Sequence, residues 1–181
     1  YSMRLFEDDA AIVAIGEGLL ARSLPRAHWT HEAHLAACTW LVRNRPDIAI
    51  ERELPAIISA YNEAVGGVND DTQGYHETIT QVYVAGVKAH LAEVGMEQPL
   101  HAAVNALLLS SRGRRDLPLQ FYSKERLFSV HARRGFIEPD LERARANEHG
   151  HSRSYGWANN EWNLVNTSNF WFGTFQVEFG L

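Results

Sequence analysis

The sequence predicts an all-α protein, a compact bundle of about five to six helices over residues 3–141. Apolar residues in this part recur at spacings of three and four, the period of an amphipathic helix. Short polar breaks that contain glycine or proline separate the periodic segments. No stretch of this part alternates apolar and polar residues in the manner of a half-buried strand. Residues 142–181 depart from the pattern and form a separate C-terminal extension.

The first three helices are predicted at residues 7–22, 31–43 and 48–64. Asp8 and Asp9 suit the start of the first helix, because a carboxylate is stabilised at the positive end of the helix dipole. Thr30 is a candidate N-cap of the second helix. Pro55 lies within the third and either kinks it or marks its true first turn.

The next three helices are predicted at residues 75–94, at 100–111, and from near 123 to before 135. Gly66 and Gly67 end the third helix, and a polar turn at residues 69–74 leads into the fourth, with Thr72 or Gly74 as its cap. Ser123 is a suitable N-cap for the sixth.

The C-terminal extension, residues 142–181, is rich in aromatic residues and asparagine. Within it, Trp171, Phe175, Val177 and Phe179 share one parity, which favours a strand or hairpin. A lone strand leaves its backbone groups unpaired, so it needs a partner. Three interpretations stay open: a tail packed over the helical body, homo-oligomer formation through this edge, or an extension foreign to the domain.

Composition excludes several classes of protein. The formal charge is −5, and no basic stripe is present to neutralise a phosphate backbone, so nucleic acid is not an expected partner. No apolar run approaches the ~20 residues of a membrane-spanning helix, and the start lacks a signal-peptide pattern. Cys38 is the only cysteine, which excludes an internal disulfide and a cysteine-rich zinc site. The sequence therefore predicts a cytoplasmic protein without a membrane partner.

His31 and His34 begin the second helix and are the first candidate site. Because His31 and His34 are three residues apart on a helix, both imidazoles can face one point. Imidazole suits Zn, Fe, Ni and Cu, so the pair could chelate a metal. The spacing alone is also consistent with two histidines that cap the helix or lie on the protein surface.

His76 and Glu77 begin the fourth helix and are the second candidate site. The helix dipole already explains Glu77, whereas a cationic ring is disfavoured there. A neutral His76 would keep a lone pair for a metal or a substrate proton. A hydrogen-bonded core histidine is an equally good interpretation.

Together the two segments predict a divalent-metal site, with Zn or Fe as the metal. His31, His34 and His76 would supply three nitrogen ligands and leave a position open for water or substrate. Glu77 would be a fourth ligand or a general base, with Glu32 as an alternative carboxylate. Two histidines and one carboxylate would instead suggest non-haem iron, and the spacing does not choose between these sets.

Tyr122 lies directly before the predicted cap at Ser123. Its hydroxyl could donate a hydrogen bond to a substrate. The other interpretation is an aromatic ring packed over the start of the sixth helix.

Three segments carry a resemblance to a family of small uncharacterised bacterial proteins. They are Trp29-Thr30-His31-x-Ala33-His34-Leu35, Gly74-Tyr75-His76-Glu77-Thr78-Ile79-Thr80 and Tyr122-Ser123-x-Glu125-x-Leu127-Phe128-Ser129. The resemblance covers roughly residues 5–141. It implies a shared site without an assigned reaction, and a domain that ends near residue 141.

These observations favour a metal-dependent enzyme that hydrolyses, isomerises or oxygenates a small-molecule substrate. A metal-free enzyme, with His31 or His76 as acid or base, is the second hypothesis. The third is a ligand-binding or oligomerising helical module without catalysis.

Overall fold

The computed structural model describes residues 3–141, which form seven α-helices and no β-strand. The all-α prediction is therefore confirmed for this part of the chain. The strand or hairpin expected within residues 142–181 lies outside the described residues. The helices are α1 (Asp9–Leu20), α2 (His31–Asn44), α3 (Ile50–Ala64), α4 (Glu77–Val94), α5 (Leu100–Leu109), α6 (Lys124–Leu127) and α7 (Val130–Arg134).

The first two helices begin at the residues that their capping chemistry predicts. The Asp8 carboxylate accepts a hydrogen bond from the backbone N–H of Ala11 at 2.9 Å. The Thr30 hydroxyl accepts one from the backbone N–H of Ala33 at 3.2 Å. Each cap satisfies one of the N–H groups that the first turn of a helix leaves unpaired. The predicted N-cap at Thr30 is confirmed.

Two later boundaries differ from the prediction. The N-cap of α4 is His76, so that helix begins at Glu77 and neither Thr72 nor Gly74 caps it. The predicted sixth helix is two short helices, α6 and α7. The break lies at Ser129, whose hydroxyl accepts from the backbone N–H of Ala132 at 3.2 Å and starts a new helix.

Helix α2 lies at the centre of the bundle and contacts α1, α4 and α5. Ten of its residues are buried, because it has neighbours on several sides. Gly16 of α1 faces the Trp40 ring of α2, and a Cβ at Gly16 would lie 2.1 Å from a ring carbon. This close approach holds α1 against α2 beside the site described below.

Helix α3 continues through Pro55. The proline removes one N–H donor from the helix, and the carbonyl of Glu51 accepts from the Gln81 side chain of α4 at 3.4 Å instead. Within the described residues, no helix combines the length and apolar character needed to cross a bilayer.

Candidate functional site

A small cavity lies among the first four helices. Apolar side chains from α1, α2, α3 and α4 form most of its wall, and about 40 Å³ is open to the centres of water molecules. That space holds roughly three waters, at ~10–15 Å³ each. A mostly apolar cavity with a few polar groups is the usual form of a small-molecule site. The lining side chains that carry a polar atom or sulfur are Trp29, His31, His34, Cys38, Thr80 and Tyr83.

His31 is the first residue of α2 and is 5 % exposed. Its Nε2 lies 2.8 Å from the carbonyl oxygen of Gly113, and its ring meets the Tyr83 ring edge-on with centroids 5.6 Å apart. Burial lowers the pKa of His31, so the ring is neutral at pH 7. Since a carbonyl can only accept, Nε2 carries the proton and Nδ1 is the acceptor.

His34 is held in the complementary tautomer. Its Nδ1 lies 2.6 Å from the carbonyl oxygen of Thr30, which makes Nε2 the acceptor of the neutral ring. The ring stacks on Trp29 with centroids 3.8 Å apart and planes 31° apart. Burial lowers the pKa of His34 to about 3. The cavity therefore contains two neutral imidazoles, each fixed by a backbone carbonyl.

His76 does not join this pair. Its Nδ1 accepts from the backbone N–H of Ile79 at 3.2 Å, and its Nε2 donates to the carbonyl of Leu127 at 2.9 Å. Desolvation lowers the pKa of His76 to about 4, which is consistent with a neutral ring. The lone pair that was expected to be available for a metal is used to cap α4. His76 therefore connects α4 to α6 as a structural residue.

The two residues predicted to act beside a metal are also engaged elsewhere. Glu77 accepts from the Tyr75 hydroxyl at 2.6 Å and from the Gln81 amide at 2.9 Å. The Tyr122 hydroxyl is fully buried and donates to the carbonyl of Ile137 at 2.7 Å. Packing over the start of α6, the second interpretation of Tyr122, describes this geometry better than contact with a substrate.

The predicted three-histidine centre is not formed in the described part of the chain. No group of three or more His, Cys, Asp or Glu side chains in residues 3–141 is placed to hold a metal ion. His31 and His34 share the cavity, as their spacing predicts, but His76 binds backbone groups of α4 and α6 instead. The start of α2 faces the cavity, whereas the histidine at the start of α4 is bonded to backbone groups of α4 and α6. A histidine at each helix start therefore does not bring the three rings together.

Glu32 and Cys38 do not complete a metal site either. Glu32 is buried and lies 3.8 Å from the guanidinium of Arg115, so this carboxylate is neutralised by an ion pair. Burial raises the pKa of the Cys38 thiol to about 12. A thiol that keeps its proton at pH 7 is a poor nucleophile, and Cys38 belongs to no group of three or more potential metal ligands within residues 3–141.

Sequence reasoning missed the role of two residues, one that lines the cavity and one that is bonded to His31. Trp29 is 3 % exposed and lines the cavity, yet its indole Nε1 is buried without a hydrogen-bond partner among residues 3–141. Gly113, whose carbonyl fixes His31, is 82 residues away along the chain. For Trp29, the available sequence signal was its position directly before Thr30, the cap of α2. For Gly113, no sequence signal near position 113 indicates the contact with His31.

Comparison with known proteins found no match to a family model, to a curated protein or to a solved structure. The resemblance drawn from the three motif segments therefore stays a prediction, and the site has to be interpreted from its own geometry.

Proposed function

We propose that this chain binds a small, uncharged and largely apolar molecule in the cavity among α1 to α4. One observation carries the proposal: His31 and His34 both line this cavity, and a backbone carbonyl fixes the tautomer of each ring. Fixed neutral imidazoles in an apolar wall are suited to orienting a neutral ligand by a few hydrogen bonds. Charged ligands are disfavoured, because burial already opposes charge on the imidazoles themselves.

A resident metal fits these residues poorly. A stable zinc or iron site takes three or more protein ligands, whereas no three His, Cys, Asp or Glu side chains within residues 3–141 lie together in a way that could hold one ion. Of the three functions that the sequence left open, the two that need no metal therefore have the better support.

Proton transfer by His31 is the second candidate function. The carbonyl of Gly113 fixes its tautomer, as a second group orients the base in many enzymes that use histidine. His34 is a much weaker base, since its pKa is lowered to about 3 and a general base works best with a pKa near the working pH.

The histidine rings themselves can report binding. Small neutral molecules would be titrated into protein labelled with ¹⁵N on its imidazoles. We expect the ring signals of His31 and His34 to move, while those of His76 and His90 stay fixed. The latter two are matched controls, because they are also buried and bonded to backbone carbonyls but lie outside the cavity. Equal shifts at all four rings, or none with any molecule, would contradict the proposal.

Metal binding is tested separately by elemental analysis of protein purified without a metal-affinity column. We expect no stoichiometric metal and no change in melting temperature with Zn²⁺, Fe²⁺, Mn²⁺ or Ni²⁺. One bound metal per chain, lost on substitution of His31 or His34, would restore the metal-dependent hypothesis.

A further inference from the structure

The indole N–H of Trp29 is a hydrogen-bond donor that the described chain leaves unused. The side chain is 3 % exposed and lines the cavity, and Nε1 has no partner among residues 3–141. Buried donors nearly always have an acceptor, since losing the hydrogen bonds of water without replacement is costly. The neighbouring Tyr61 hydroxyl shows the usual arrangement, because it donates to the carbonyl of Leu24 at 3.0 Å.

The imidazole of His31, which lines the same cavity, carries a hydrogen-bond acceptor. Because its Nε2–H donates to Gly113, Nδ1 is the acceptor of the neutral ring. The Tyr83 hydroxyl already donates to the carbonyl of Arg114 at 2.6 Å. Two residues that line this space of about 40 Å³ therefore carry an unused donor, Trp29 Nε1, and an acceptor, His31 Nδ1.

We propose that the ligand is a neutral hydroxyl compound with a short apolar body, whose oxygen accepts from Trp29 Nε1 and whose proton is donated to His31 Nδ1. A hydroxyl group is the smallest organic group that donates and accepts at one atom. The apolar body would lie against the leucine, isoleucine and valine side chains of α1, α3 and α4. This assignment rests on the proposed function, because it specifies the ligand of the same cavity.

The uncharged lining disfavours carboxylates and ammonium compounds of the same size as the alcohol. A carboxylate would place its oxygens against the lone pair of His31, and no lysine or arginine among residues 3–141 lines the cavity to compensate. An ammonium group would find no carboxylate in that lining and would lose its hydration without compensation. Burial lowers the pKa of His31 and so opposes protonation of the ring to receive an anion.

Four ligands with similar numbers of heavy atoms test the assignment: 1-butanol, methyl propyl ether, n-pentane and n-butylammonium. In ¹H–¹⁵N spectra, the Trp29 indole signal is identified by its loss in Trp29→Phe. We expect 1-butanol to move this signal strongly, the ether to move it less, and pentane and butylammonium to leave it unchanged. The indole of Trp40, buried against Gly16 outside the cavity, is the internal control.

Affinity provides a second measurement. Trp29→Phe keeps most of the ring but removes the N–H, so it should lower the preference for 1-butanol over pentane by about fivefold, the effect of one net hydrogen bond. The ratio of the two affinities is measured within each protein, so a change in cavity shape that affects both ligands equally does not alter it. If this variant does not fold, the wild-type ligand series still tests the assignment, with the Trp29 indole signal identified by through-bond correlation to its own backbone.

The outcomes separate this inference from the function on which it rests. If butanol, ether and pentane all shift His31 and His34 but not the Trp29 indole, the cavity binds small molecules and the hydroxyl assignment is wrong. If none of the four ligands shifts the two histidines, the proposed function itself fails. A Trp29 signal that exchanges with bulk water and is unaffected by butanol would show that ordered water is the partner, which also overturns the assignment.

Discussion

An imidazole near a helix start has two ring nitrogens, and their partners decide what the residue can do. His76 uses both nitrogens on backbone groups, so neither is left for a ligand. His31 and His34 each use one nitrogen on a carbonyl, which makes the other nitrogen of each neutral ring an acceptor. The same residue type, at similar helix positions, is thus structural in one place and a candidate binding group in another.

Replacing His76 should test its structural role. His76→Ala removes the cap of α4 and leaves the carbonyl of Leu127 without its donor, which together should cost about 2–4 kcal/mol of unfolding free energy. His76→Asn restores a capping side chain and should cost about half as much. Urea denaturation measures both, with His131→Ala as control because His131 is exposed. A fully stable His76→Ala that loses ligand binding would instead make His76 a site residue.

Acid should destabilise the fold in the range where histidine titrates. Burial lowers the pKa of His76 to about 4 and of His34 to about 3, and it also lowers the pKa of His31 and His90. The unfolded chain binds protons at these rings below about pH 6.5 and the folded chain does not, so stability decreases as the pH falls from about 7 to 4. At pH 5.5 a ring such as that of His76 accounts for a loss of about 1.4 kcal/mol.

Urea midpoints at pH 7.5, 6.5 and 5.5 measure this slope, and His76→Asn should make it shallower by the contribution of one ring. Carboxylates act in a different range: the pKa of Asp70 is lowered to about 2 by hydrogen bonds from Thr72 and Gln73, so its contribution is lost only below about pH 4. An unchanged slope in His76→Asn would mean that His76 binds its proton equally well in the folded and unfolded chains, which would contradict the lowered pKa.

At the scale of single residues, the sequence identified the cavity histidines but not their partners. The spacing of His31 and His34 was sufficient to predict that they share one site. The carbonyls that bind His31 and His76 come from positions 82 and 51 residues away. Such contacts depend on tertiary packing, which helical periodicity and capping chemistry do not report. The sequence therefore could not show that His76 is bonded to backbone groups of α4 and α6.

Whole helices were more predictable, because their signals are local. Apolar periodicity placed the five long helices, and the caps at Asp8, Thr30 and Ser123 follow from side-chain chemistry within three residues. The predicted sixth helix failed at Ser129, which can either continue a helix or start one. Its hydroxyl also donates to the carbonyl of Arg126 at 2.7 Å, which stabilises the break between α6 and α7.

The packing of α1 on α2 gives a test at this scale. Gly16→Ala would place a Cβ 2.1 Å from the Trp40 ring, so we expect a loss of about 1–3 kcal/mol through overpacking. Gly86→Ala in α4 is the matched control. Its new Cβ would lie 3.7 Å from Leu117, an ordinary contact, and the better helix propensity of alanine should add up to ~1 kcal/mol. Thermal unfolding of both variants is the measurement, and stabilisation by Gly16→Ala would contradict the observed approach.

For the molecule as a whole, the last described segment closes the bundle. Residues 136–141 run back along α6 and the turn before it. The backbone N–H of Leu141 donates to the carbonyl of Phe121 at 3.0 Å, and the Asp140 carboxylate accepts from the Ser123 hydroxyl at 2.6 Å. These contacts support the predicted domain end near residue 141, which stays a prediction because residues 142–181 lie outside the described part.

Two truncations test where the domain ends. A chain that stops after Leu141 keeps the contacts that this segment makes within residues 3–141, so we expect full helical circular dichroism and a single cooperative urea transition. A chain that stops after Gly135 loses the carbonyl of Ile137 that accepts from the buried Tyr122 hydroxyl. Leaving that hydroxyl unpaired should by itself cost about 1–3 kcal/mol. Equal stability of the two truncated chains would show that residues 136–141 do not belong to the folded unit.

The same longer truncation tests association through the C-terminal extension. If residues 142–181 pair between chains as a strand would, light scattering should find the full chain larger than a monomer and the chain that stops after Leu141 monomeric. Unpaired strand edges are the usual cause of such association. Within residues 3–141, the cavity is lined by the first four helices and the segment before α2, so ligand shifts at His31 and His34 should be the same in both chains. Loss of those shifts on truncation would mean that the extension contributes to the site.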